Sequence, residues 1–92
     1  MKVVWTDEAV EDLKMIYEYI SRDSRVYASR HIERILAHEE NITLFPKSGR
    51  LVPEYHDKLI REVFEGNYRI IYRIVDEERI DVLTVVHGAQ GL

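Results

Sequence analysis

The sequence predicts an α+β fold in two layers: an N-terminal strand, a two-helix antiparallel hairpin and a three-stranded antiparallel meander, in the order βααβββ. Three observations lead there. Between Thr6 and Phe45 apolar residues recur at intervals of three and four, the period of a helix with one buried stripe. Beyond Pro46 the period falls to two, and Ile, Val and Tyr dominate short runs. The chain has 92 residues, 46% hydrophobic and 33% charged, with 4 Gly and 2 Pro, which suits one folded domain spanning residues 1–92 and excludes a disordered chain.

Lys2-Val3-Val4-Trp5 is a short apolar run suited to a first strand, and Thr6-Asp7 then offers N-cap residues with Glu8, Glu11 and Asp12 in the first turns. On the helix that follows, Ala9, Leu13, Ile16, Tyr17 and Ile20 form one stripe, which ends near Ser21. Ser21-Arg22-Asp23-Ser24 is a break. Asp23 or Ser24 caps a second helix, whose stripe of Ala28, Ile32, Ile35, Leu36 and Ile42 runs until Phe45-Pro46 stops it. Lys47-Ser48-Gly49-Arg50 reads as a turn, and Leu51 to Lys58, with Pro53 inside it, as an irregular connection or edge segment. Strands are expected over Leu59 to Phe64, Tyr68 to Val75 and Arg79 to His87, joined by Glu65-Gly66-Asn67 and Asp76-Glu77-Glu78.

Thirteen Lys and Arg against 17 Asp and Glu leave a formal net charge of −4, which argues against a generic nucleic-acid binder. The charge is uneven: residues 1–45 carry 6 basic and 9 acidic side chains, 46–75 carry 6 and 4, and 76–92 carry 1 and 4. The middle third is also rich in arginine, which offers planar, multi-donor recognition of carboxylates and phosphates. The absence of Cys excludes disulfides, thiolate chemistry and Cys-ligated zinc, and suits a reducing compartment. No apolar run approaches the ~18 residues of a membrane helix, and the N-terminus lacks a secretory pattern, so a cytoplasmic protein without a membrane partner is expected.

The lone strand ending in Trp5, Ala9 with Asp12-Leu13 and Ile16, Phe45-Pro46 with Gly49-Arg50, Ile60-Arg61-Glu62, Tyr68-Arg69-Ile70-Ile71-Tyr72-Arg73 and Val86-His87-Gly88 together resemble the RelE/ParE toxin superfamily. The resemblance covers nearly the whole chain. It implies the toxin of a type II toxin-antitoxin module, in which RelE-type members cleave ribosome-bound mRNA and ParE-type members poison DNA gyrase. The fold is common to both, so the site must choose. Cleavage needs an acid, a base and cations around a scissile phosphate. Arg69 matches the strand arginine of RelE-type sites and Arg61 is a basic neighbour, but Glu62 and Glu65 stand where those enzymes tend to have lysines. The tail reads Gly88-Ala89-Gln90-Gly91, without the arginine or the terminal tyrosine of the cleaving branch.

The resemblance therefore points to a ParE-type gyrase inhibitor that acts by binding, neutralised by a ParD-like antitoxin whose tail orders over the toxin. The Ala89-Gln90 departure implies an attenuated toxin. The alternative is a ribosome-dependent mRNA endonuclease with Arg61, Arg69 and His87 around the phosphate. Candidate target- or antitoxin-binding residues are Arg50, Arg61, Arg69, Arg73, His87 and Gln90.

Strand alternation puts Tyr68, Ile70, Tyr72 and Ile74 on one face and Arg69, Ile71, Arg73 and Val75 on the other, where Arg69 and Arg73 point outward beside aliphatic residues. The competing reading pairs these arginines within the sheet to Glu62 or Asp81, more readily Arg73 than Arg69. Arg50 is expected to brace its turn before it contacts a target. Trp5 is assigned to the core. His31 and His38, seven residues apart, are read as solvated helix residues and not metal ligands; no metal and no cofactor are expected. Tyr17, Tyr19 and Tyr27 are candidates for a helical groove that receives a partner. The first strand or the 51–58 segment offers an edge for a homodimer, against which the charge and Pro53 argue.

Overall fold

Each helix is started by a hydroxyl. In the computed structural model, which describes residues 1–88, the Thr6 side chain accepts the Ala9 N–H at 3.2 Å and so opens α1 (Asp7–Ser21). Ser24 does the same for α2 (Arg25–Leu44), taking the N–H of Tyr27 at 3.1 Å. Thr6 also donates its O–H to the carbonyl of Val82, 2.8 Å away, which ties the helix start to the sheet. Pro46 ends α2 and begins a short 3-10 turn over Pro46–Ser48.

The expected meander is the centre of a larger sheet. Strands β1 (Lys2–Trp5), β2 (Arg50–Leu51), β3 (Ile60–Glu65), β4 (Tyr68–Ile74) and β5 (Arg79–His87) lie in the order β1-β5-β4-β3-β2. β1 runs parallel to β5 with Val3 opposite Ile80, and β2 adds an antiparallel edge with Arg50 opposite Glu62. The segment read as a turn at Arg50 is thus a two-residue strand. Between β4 and β5 the register slips, with Ile71 opposite Thr84 but Tyr72 opposite Val82, so Leu83 is the extra residue of a bulge. Asp12 on α1 caps this irregularity, accepting the Thr84 O–H at 2.6 Å and the Val85 N–H at 2.9 Å.

The helices pack on one face of the sheet around Ala9, Ile16, Ile35, Ile42, Ile70, Tyr72, Ile80 and Val82, with Trp5 and Leu13 against them. Trp5 is core in its ring and polar at its tip, donating Nε1–H to Glu39 at 2.7 Å. On the other face the 52–59 loop covers a smaller cluster of Val52, Ile60 and Ile71. The helix stripes differ from the expected ones at three places: Tyr17 and Leu36 are 36% and 42% exposed, whereas His31 is buried at 7%. No helix among the described residues is long and apolar enough to cross a membrane.

Two glycines are required. Gly66 in the β3–β4 turn has φ +57°, a conformation that side chains disfavour. Gly49 instead makes room: a Cβ there would collide with the hydroxyl of Tyr72 and lie 3.0 Å from the carbonyl oxygen of Glu62. That hydroxyl is itself committed, donating to the carbonyl of Pro46 at 2.6 Å, and burial raises the Tyr72 pKa above its ordinary value. Gly49→Ala is therefore expected to cost about 1–3 kcal/mol by overpacking, measured as a lower urea midpoint with unchanged slope.

Candidate functional site

The sheet presents its candidate residues on two faces, because directly opposite residues of paired strands share a face. Arg69 lies opposite Phe64 and Val86, and Arg73 opposite Ile60, which places both on the face away from the helices. Arg61 lies opposite Tyr72 and His87 opposite Tyr68, and these share the helix face.

On the outer face Glu62 is the centre. It is 1% exposed, and its carboxylate accepts Arg69 Nε at 2.7 Å and Arg50 Nε at 2.8 Å. Arg69 also donates from Nη1 and Nη2 to Glu54 at 2.9 and 2.8 Å, a two-pronged grip that reaches into the 52–59 loop. Arg69 is only 5% exposed. Its hydrogen bond to Glu54 raises its pKa above the ordinary guanidinium value, against desolvation and with further help from Glu62, so it stays charged.

This corrects the expected pairing. Arg69, read as outward and free, is the buried member of an ion-pair network, whereas Asp81 is taken by Arg79 at 2.8 Å and Arg73 remains exposed with no ion pair among the described residues. Arg50 braces its strand as expected. It also keeps a surface role: its side chain is 59% exposed and its guanidinium sits 5.2 Å over the Phe64 ring. Phe64 is about half exposed beneath it, so the outer face carries cations next to apolar surface. Glu62 is neutralised locally by its two arginines, and Glu65 lies in hydrogen-bond contact with His38 Nε2 at 3.0 Å.

On the helix face Arg61 is occupied with carbonyls, donating to Lys58, Lys47 and Gly49 at 2.9, 3.2 and 3.2 Å. It holds the 3-10 turn against β3. His87 meets Tyr68 edge to face at 5.4 Å. Their opposite residues on β4, Tyr72 and Tyr68, are four apart, a separation of about 13 Å along a strand. Arg61, Arg69 and His87 thus do not converge: two lie at different ends of one face and the third on the other. What the fold does bring together is Arg50 with Arg69, through Glu62. Gln90 lies outside the described residues.

His31 and His38 are not solvated as expected, since His38 holds Glu65 and His31 packs between Tyr27 and Tyr68 at ring distances of 6.3 and 5.1 Å. Among the described residues no three His, Asp or Glu side chains gather as a metal site. Sequence reasoning missed two residues. Glu54 follows Pro53 in a loop with no period to place it, but His31 stands three residues after Ala28 and four before Ile35, on the buried stripe.

Comparison with known proteins agrees with this architecture. A solved structure described as a chromosomal ParDE toxin-antitoxin system from P. aeruginosa superposes with a TM-score of 0.76 at 19% identity, over 95% of each chain. No curated protein matches the chain. The family model for the ParE toxin of the type II toxin-antitoxin system parDE matches residues 3–92, and the chain accordingly belongs to the ParE toxin family.

Proposed function

We propose that this ParE-family toxin acts in the cytoplasm by binding DNA gyrase, without cleaving RNA, and is held inactive by a ParD-like antitoxin. The observation that carries this reading is the separation of Arg61, Arg69 and His87 over both faces of the sheet. Phosphodiester cleavage needs its acid, base and cations within hydrogen-bond reach of one phosphate. Arg69 is already engaged by two carboxylates and Arg61 by three carbonyls. Binding has no such requirement. It uses exposed cations beside apolar side chains, and Arg50, Phe64 and Arg73 offer that surface on the outer face. Arg61 and Arg69 support it by fixing the strands and the covering loop, while His87 and Gln90 are assigned to contacts near the end of β5.

Induced expression tests the reading against mRNA cleavage. The expected result is growth arrest with a DNA-damage response and intact ribosome-bound mRNA, relieved when the neighbouring antitoxin gene is co-expressed. Primer-extension stops within ribosome-bound mRNA, abolished by Arg69→Ala in a variant shown to be folded, would instead establish the endonuclease. For the attenuation implied by the tail, Gln90→Arg is expected to lower the inducer level needed for arrest; equal potency would remove that proposal.

A further inference from the structure

Residues 53–58 cross the outer face as a strap, and every one of them is exposed. Its ends are fixed, by the buried Val52 on one side and on the other by the Lys58 carbonyl, which accepts from Arg61. Between them, among the described residues, Glu54 is the one side chain that hydrogen-bonds the sheet, and it does so through Arg69. The remaining bonds are local: the Tyr55 N–H donates to the Val52 carbonyl and the Leu59 N–H to the Asp57 carboxylate.

The two carboxylates on Arg69 are of different kinds. Glu62 belongs to β3, has no exposed side-chain surface and takes Nε, so it fixes the plane of the guanidinium. Glu54 belongs to the strap, has 34% of its side chain exposed and takes the Nη1 and Nη2 fork. A guanidinium held at one edge, with its fork presented, is a preorganised site for a planar carboxylate. An exposed segment with one long-range anchor opens at a lower free energy than the core it covers.

We propose that Glu54 fills a carboxylate-binding site at Arg69 from within, and that the strap lifts as a unit to give Arg69 to a carboxylate side chain of a partner protein. With the strap down, Arg50 and Arg69 are balanced by Glu62 and Glu54. Lifting it leaves one positive charge uncompensated on the face that also carries the exposed Arg50 and Arg73, which suits an acidic segment. Glu62 decides against phosphate, because its carboxylate sits on the same guanidinium and repels a dianion. The proposal rests on the binding reading of the outer face only for which protein supplies the carboxylate.

The test uses the full chain and a Glu54→Ala variant, with acetate as the probe and chloride and phosphate as controls at equal ionic strength. In Glu54→Ala, acetate is expected to fill the vacated fork, shifting the Arg69 side-chain N–H resonances and raising the urea midpoint. In the unaltered chain, where Glu54 holds the site, the same response should need about tenfold more acetate. Hydrogen exchange of the unaltered chain should show the Tyr55 and Leu59 amides opening together, about tenfold or more faster than the Ile71 amide, a result that stands even if the variant does not fold. Acetate no better than chloride, phosphate better than acetate, or Tyr55 and Leu59 exchanging only together with Ile71 would overturn the proposal. Neither gyrase nor an antitoxin enters these measurements, so failure here and failure of the toxin reading are separate results.

Discussion

A Glu62→Ala variant is expected to lose about 3–5 kcal/mol of folding stability, the usual cost of removing one partner from a buried ion pair. Glu62 is 1% exposed and satisfies two guanidinium groups, one of which, on Arg69, has only 6% of its side chain exposed. Without Glu62 the Arg69 charge stays buried with Glu54 alone, whose side chain is 34% exposed and therefore a weaker, better-solvated partner. The loss is a large fraction of the ~5–15 kcal/mol that holds a domain of this kind together. Urea denaturation measures it directly. A shift as small as that of Arg79→Ala, which breaks an exposed pair, would show that the network contributes little.

Arg73→Glu is expected to weaken gyrase inhibition by about 30-fold or more, the effect of losing a ~2 kcal/mol contact at the centre of an interface. The side chain is exposed, forms no ion pair among the described residues and shares the outer face with Phe64 and Arg50. Its replacement should leave stability within about 0.5 kcal/mol, so the loss would be one of binding. Half-inhibition of supercoiling by the variant and by the unaltered chain supplies the comparison. Equal potency would mean that the outer face does not meet the target.

The local part of this fold was legible and the long-range part was not. Thr6 and Ser24 announced the helix starts and Pro46 the helix end, because caps and breakers act within a few residues of chain. The two faces of β4 followed from alternation. By contrast, the parallel pairing of β1 with β5 joins residues 77 apart, and nothing local selects the neighbour of a first strand. β2 has two residues, too few for a period.

The candidate site was legible as a list and not as an arrangement. Arg50, Arg61, Arg69 and Arg73 are visible in the sequence, but which is buried depends on where the 52–59 loop lies, and that loop carries Glu54 onto Arg69. His31 shows the opposite case: its position on the stripe was readable, and the habit of placing histidine on surfaces hid it.

The most direct test of the central claim is the supercoiling activity of purified gyrase titrated with the purified chain. The account predicts progressive inhibition that the neighbouring-gene antitoxin reverses. Gyrase activity unchanged at tens of micromolar toxin, with the same preparation arresting growth when expressed, would contradict it.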